Sequence, residues 1–174
     1  DDGWFHCRRS DVSGLGDWWV DETVWPDGLS PIIDHVTSLG MEFGLWFEPE
    51  MVNPDSDLYR SHPEWALDGT LDAPLLGRNQ LVLDFSIEDV RDYIVSKMSV
   101  LLSAYDISYV KWDHNRPLVG GRAHNQTQGF YDVLIRLRQQ FPHVQFESCA
   151  AGGGRIDLGV ASLVDRFWAS DSID

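Results

Sequence analysis

Short apolar runs alternate with amphipathic stretches along this chain. Leu29, Ile32, Ile33, Val36 and Leu39 recur at helical spacing, with Pro31 in the first turn and Gly40 at the stop. Glu42–Phe47 reads as a continuous apolar strand that ends in Glu48-Pro49-Glu50, and Leu81-Val82-Leu83 is a shorter candidate. Ser86 with Asp89 has the form of an N-cap and its partner, opening a helix through Val90, Ile94, Met98 and Leu101. Ile107–Trp112 reads as a strand ending at Asp113. A further helix carries Phe130, Leu134, Leu137 and Phe141 and is closed by Pro142. Val144-Gln145-Phe146 leads as a strand into Glu147-Ser148-Cys149 and the glycines at 152–154, and Val164–Trp168 reads as a strand reaching Ser170-Asp171.

Strands buried on both faces, each followed by a helix, indicate parallel β/α units. Every run ends in polar residues: Glu48 and Glu50, Asp113, Glu147 and Cys149, Asp171. In such folds ligand chemistry collects at the C-terminal ends of the strands. An open doubly wound sheet and a (β/α)8 barrel both meet that rule. Ala151-Gly152-Gly153-Gly154 has neither a P-loop Lys-Ser/Thr nor Rossmann spacing, which favours the barrel. A complete barrel takes about 250 residues, and this chain has 174. The expected fold class is α/β, a partial (β/α)8 TIM barrel over residues 1–174, with parallel strands alternating with helices.

Composition narrows the function. Apolar residues are 43% and charged residues 24%, as in globular domains, and no run approaches the roughly 20 apolar residues that span a bilayer. With 13 basic against 28 acidic residues, net −15, nucleic acid is excluded as a partner, because binding there rests on Lys and Arg replacing counterions. The acids are scattered rather than gathered in a tail, so they also serve solubility. Cys7 and Cys149 make neither a disulfide framework nor a zinc knuckle. They point to a cytoplasmic setting, with a single bridge left open. The opening Asp1-Asp2-Gly3-Trp4-Phe5 has no Met and no signal-type region, and the chain stops in a polar stretch. A piece of a longer protein is expected, so a signal peptide is not assessable.

The eight Trp change the picture further, because several stand beside carboxylates: Asp17-Trp18-Trp19, Trp46-Phe47-Glu48, Trp112-Asp113 and Trp168-Ala169-Ser170-Asp171. Any single Trp is at home in a core. Repeated pairing with acids suits a sugar, which offers apolar C–H faces and a rim of hydroxyls. Cleaving a glycosidic bond needs two carboxyl groups on opposite sides of the anomeric carbon, and these must come from different strands. Asp113 and Asp171 both close strands and lie 58 residues apart. Lys111 and Arg116 flank Asp113 and would keep it ionised, as a nucleophile requires. Asp171 follows Trp168, and an apolar wall raises a carboxyl toward a general acid's range. Ordinary surface or ion-paired acids are the alternative. Metal binding lacks His-x-x-x-His or His-x-His spacing, and a Cys149 nucleophile would need a placed His, for which His143 is the nearby candidate. No metal or cofactor is expected.

Six blocks resemble, in order, the motifs of glycoside hydrolase family 36 α-galactosidases. They are Asp1-Asp2-Gly3-Trp4-Phe5, Gly16-Asp17-Trp18, Gly44–Met51, Tyr109–Arg116, Glu147–Gly153 and Trp168–Asp174, and together they cover essentially the whole chain. The resemblance implies a retaining double displacement in a (β/α)8 catalytic domain, with Asp113 as nucleophile and Asp171, rather than Asp174, as acid/base. It assigns Asp1 and Asp2 to galactose hydroxyls, Trp46 to the pocket wall, and Arg78, Lys111, Asn115, Cys149, Gly152 and Trp168 to further contacts. Implied substrates are terminal α-D-galactosides such as melibiose or raffinose, and the full-length protein is implied to be a homo-oligomer, with flanking β-domains absent from this chain. A galactosyl-transferring enzyme like the raffinose synthases, and a catalytically incompetent sugar-binding fragment, stand as alternatives. The chain departs from the pattern at His6 and Cys7, where the family continues with Gly, and at His114, where it often has Met; a second imidazole beside Asp113 would alter subsite shape or pH response.

Overall fold

The structure, a computed structural model, describes residues 2–67, 76–118 and 122–172. In chain order the elements are α1 (Ser30–Ser38), β1 (Gly44–Phe47), β2 (Met51–Val52), α2 (Asp57–Ser61), a 3₁₀ turn at Pro63–Trp65, β3 (Leu81–Val82), α3 (Glu88–Ala104), β4 (Tyr109–Trp112), α4 (Ala123–Gln140), β5 (Gln145–Ser148), α5 (Leu158–Ala161) and β6 (Arg166–Phe167). β1, β4, β5 and β6 form one sheet in that order, every pair parallel. Helices α3, α4 and α5 lie in the successive crossovers, as parallel pairing requires.

The register explains the faces. Leu45, Val110 and Phe146 stand side by side, as do Phe47, Trp112 and Ser148. These apolar positions enter one core with Val90, Ile94 and Met98 of α3 and Phe130, Val133, Leu134 and Leu137 of α4. Trp112 meets Phe130 edge-on at 5.3 Å. The other face carries Trp46, Lys111, Glu147 and Arg166 in one row and Tyr109 with Gln145 in another. Within this chain the second face is partly covered: β4 alternates half-buried and buried, and Gln145 and Arg166 are exposed.

Two expectations change. Leu81 and Val82 do not join the parallel sheet; β3 pairs antiparallel with β2, Met51 opposite Val82. Ser86 does not cap α3, whose first turn has no side-chain cap. Its hydroxyl instead donates to Asp84 Oδ1 at 2.5 Å, and Asp84 also accepts from the Ser86 amide at 3.0 Å, folding the approach to the helix. α1 ends as expected, with the Gly40 and Met41 amides donating to Thr37 and Val36 carbonyls at 2.9 and 3.3 Å. Ile32 and Leu39, however, are exposed, and Ile33 is its one buried residue.

Gln126, on α4, is 2% exposed, and its amide donates to the Leu83 carbonyl at 2.9 Å while accepting from the Phe85 amide at 2.8 Å. It serves the backbone of the segment that follows β3. Gly129, one turn on, lets the helix approach the same segment: a Cβ there would lie 2.1 Å from the Phe85 carbonyl oxygen. Gly129→Ala is therefore expected to destabilise the protein by about 1–3 kcal/mol, against the roughly 1 kcal/mol gain that helix propensity alone predicts. Denaturant unfolding decides the sign.

Candidate active site

One cavity of about 320 Å³ opens at the C-terminal ends of the strands. Asp2, Arg8, Asp11, Trp46, Glu48, Arg78, Gln80, Asp113, Asn115 and Asp171 line it, and its volume suits a small polar ligand. Chain segments from the N-terminus, β1, the 77–80 turn, β4 and β6 all contribute. The two strand-end aspartates thus share a wall.

Asp113 is 8% exposed and surrounded by donors. Trp46 Nε1 and Asn115 Nδ2 both donate to its Oδ2, at 3.1 and 2.6 Å, and the His114 amide donates to Oδ1 at 2.9 Å. The Cys149 thiol also bonds its carboxylate. Burial opposes its charge, but these four hydrogen bonds outweigh that and hold the carboxyl below its ordinary range. Neutral donors do this, not the flanking cations of the sequence reading: Arg116 turns to the Gln80 carbonyl at 2.8 Å, and Lys111 pairs with Glu147 at 3.7 Å. Cys149 is itself pushed up to about 12 by burial and by its bond to Asp113, which makes it a donor thiol and removes the nucleophile reading. Both cysteines are free, so the single bridge left open is not formed.

Asp171 is exposed, and Trp168 meets it with its polar edge rather than an apolar wall, Nε1 donating to Oδ1 at 2.9 Å. The Lys111 ammonium lies 4.0 Å from the centre of the same indole. Glu147, which holds Lys111, also accepts from the Tyr109 hydroxyl. Gly152, at φ +82°, stands where a Cβ would come 3.1 Å from Ser170 Cα and 3.2 Å from the Asp171 nitrogen, so it sets the backbone approach of that segment. Cys149 thus supports Asp113, Trp168 and Gly152 support the Asp171 segment, and Lys111 stands against Trp168. Asp1 lies outside the described residues.

Asp2 borders the cavity and is at the same time ion-paired, receiving Arg8 Nε at 2.9 Å. Arg8, 7% exposed, also reaches Asn53 Oδ1 at 3.2 Å. Fully buried Asn53 donates to the carbonyls of Asp11 and Asn79, at 3.2 and 2.8 Å, and accepts from the Leu15 amide at 2.9 Å. It ties the N-terminal segment to the turn that carries Arg78. That turn is a two-residue reversal with Arg78 and Asn79 both left-handed, at φ +53° and +61°. It is closed by reciprocal bonds between Gly77 and Gln80 at 3.2 and 3.0 Å. Holding non-glycine residues there costs about 1 kcal/mol or more apiece, and the result is an arginine delivered to the cavity.

Sequence reasoning missed Arg8, Asp11, Glu48 and Gln80 as cavity residues. Glu48 was visible as a strand-end acid; the others carry no local signal. The Asp17–Trp18 pair and the tryptophan of the Trp112–Asp113 pair belong to the fold instead. Asp17, fully buried, accepts from the Asp57 and Leu58 amides at 2.8 and 2.9 Å and so caps α2, while Trp18 packs on Phe5 at 4.7 Å. Trp112 donates to Glu50 at 3.0 Å. His114 turns away from the Asp113 carboxylate toward Glu50, 3.9 Å from it, and lines a second cavity of about 400 Å³ with Arg155 and Leu118. Burial holds its imidazole below the ordinary range. Among the described residues no three His, Cys, Asp or Glu side chains converge to hold a metal ion.

A family model described as Melibiase matches residues 1–174. The chain belongs to the melibiase family. The α-galactosidase of Escherichia coli is 53% identical over 180 residues, covering all of this chain and 25% of its own length. The galactosidase domain of the α-galactosidase–sucrose kinase AgaSK superposes with a TM-score of 0.94 at 44% identity, covering 100% of this chain and 25% of that one. A variant of the family 36 α-galactosidase AgaA from Geobacillus stearothermophilus, solved in complex with raffinose, gives 0.92 at 45% identity, over 100% and 26% of the two chains. The chain thus spans about a quarter of the length of these melibiase-family relatives. Its parallel strands and crossover helices are part of a (β/α)8 barrel.

The donors around Asp113 make a titration prediction. A carboxyl held low contributes stability that is present above the unfolded aspartate range, near pH ~4, and lost as pH falls through its folded value. Asn115→Ala removes one donor, so Asp113 should titrate at higher pH and the acid loss of stability should begin earlier. Carbon-13 NMR titration of the Asp113 carboxyl checks this; an unmoved midpoint would show that the other three donors suffice.

Proposed function

We propose that the protein carrying this chain hydrolyses terminal α-galactosides with retention of anomeric configuration. The supporting observation is that Asp113, desolvated and held ionised by four donors, and Asp171, exposed and hydrogen-bonded to one indole, border the same cavity. Two carboxyl groups in unlike environments are what a divided nucleophile and acid require.

In the first step the Asp113 carboxylate attacks the anomeric carbon of the galactosyl unit while Asp171 gives its proton to the departing glycosidic oxygen. This leaves a galactosyl ester on Asp113 and an ionised Asp171. In the second step Asp171 takes a proton from water, which displaces Asp113 and releases galactose. Two inversions give net retention. Asp2, Arg8 and Arg78 supply charged hydrogen-bonding groups for hydroxyls around the ring. Relatives solved with raffinose and stachyose suggest oligosaccharides of that kind as substrates here. A binding-only role is disfavoured by the presence of both acids at one cavity.

Asp113→Asn in the whole protein should lower turnover of an aryl α-galactoside by about 10³-fold or more. Asp171→Ala should cost far less with a good leaving group than with raffinose, and azide should restore part of it as α-galactosyl azide, the product of a second inversion at the galactosyl ester. Equal losses on both substrates, without azide rescue, would count against the acid role of Asp171.

A further inference from the structure

The cavity holds a carboxyl that the mechanism above does not use. Glu48, directly after β1, is 1% exposed and borders the cavity beside Asp113. Its Oε1 accepts from the Asn115 amide at 2.5 Å, and Asn115 in turn donates its side-chain amide to Asp113 Oδ2 at 2.6 Å. Its Oε2 faces the amide of Gln80, Nε2 at 3.1 Å. Gln80 is 3% exposed and anchored by Arg116 on its carbonyl oxygen at 2.8 Å. The Gln80 side-chain oxygen is buried and has no hydrogen-bond partner among the described residues.

An amide in that position serves either state of the acid. With Glu48 ionised, Gln80 donates through Nε2. After a half-turn about its last bond, the same amide offers its unsatisfied oxygen to a Glu48 hydroxyl. We propose that Glu48 is a positioning residue for Asp113: it fixes Asn115 against the nucleophile and enters the sugar complex as a neutral acid, its proton shared with Gln80. This rests on the reading of the cavity as a galactose site with Asp113 at its centre.

The groups around Glu48 agree with that state. Asp113, at the end of β4, and burial favour the proton; Arg78, from the 77–80 turn, and the Asn115 and Gln80 bonds oppose it. Asp2, Arg8, Asp11 and Asp171 complete the cavity wall. The balance leaves the Glu48 carboxyl raised to about 7, with burial as the largest cause. A sugar seated over it removes remaining water and favours the neutral form more strongly. Linkage then fixes the sign: a bound state that holds the proton more tightly takes one up on binding, so affinity falls as pH rises through the free-state value.

The test is calorimetric binding of galactose, a neutral ligand, to the whole protein from pH 6 to 8, repeated at pH 7 in buffers of different ionisation enthalpy. For a free value of about 7 and a bound state that keeps the proton across the range, affinity should weaken about tenfold from pH 6 to 8, with uptake of about half a proton at pH 7. Glu48→Gln, a neutral isostere that can keep the Asn115 bond and pair with the Gln80 oxygen, should flatten both. Asp171→Asn should keep them, which separates Glu48 from the acid/base. Affinity independent of pH in the unaltered protein overturns the proposal, as does an unchanged pH dependence in Glu48→Gln. Failure to bind galactose at any pH overturns the galactose-site reading itself. Should Glu48→Gln not fold, uptake that survives in Asp171→Asn supports the proposal and uptake lost there overturns it.

Discussion

The parallel ladder continues one residue beyond the strands. The Asp113 amide donates to the Phe47 carbonyl at 2.8 Å, the Cys149 amide to Trp112 at 2.8 Å, and the Trp168 amide to Ser148 at 3.0 Å. Those bonds put Asp113, Cys149 and Trp168 in one row, with Glu48 beside them at the end of β1. A carboxylate, a thiol donor and an indole donor from three strands therefore meet at fixed spacing. A slip of one residue would turn each of them onto the helix-covered face, where Phe47, Trp112 and Phe146 now fill the core. Hydrophobic packing on one side of the sheet thus enforces the chemistry on the other.

Within that frame the acids of a strongly acidic chain are divided by environment rather than by type. Asp113 is desolvated but surrounded by donors, and is held ionised. Glu48 is as deeply placed with fewer donors and an anion beside it, and is raised to about 7. Glu50, two residues on and fully buried, meets the Arg155 guanidinium at 2.7 Å and the Trp112 indole, and is held low. Removing either side of such a buried pair would leave an uncompensated charge. The pair also links the end of β1 to the glycine-rich segment after β5, the segment that presents Cys149 and Gly152.

Legibility followed the locality of each signal. The helices around Val90, Ile94 and Met98 and around Phe130, Leu134 and Leu137 were plain because they are long enough for a 3.6-residue period to accumulate. The ends of β1 and β4 were plain because an apolar run stops abruptly at Glu48 and at Asp113. Trp46 and Asp113 came with those ends and Asp171 with the end of the last apolar run, and the family resemblance added Asp2, Arg78 and Asn115. Arg8 and Gln80 were not legible. Each owes its place to partners 36–45 residues away, Arg116 for Gln80 and Asn53 for Arg8, and no window of sequence displays such a pairing. Trp18 misled for the converse reason: an acid beside a tryptophan reads the same whether the pair lines a cavity or caps a helix and fills a core.

The amino-acid sequence by itself determined the alternation of helix and strand, the parallel class of the sheet and the acids that stand at strand ends. Those are properties of short-range periodicity and of where apolar runs break. Tertiary structure alone decided which face of each strand is polar, that β3 leaves the main sheet to pair with β2, and which of the many carboxyls keeps a proton. Each of those depends on desolvation and on donors brought from distant segments, and neither exists until the chain has packed.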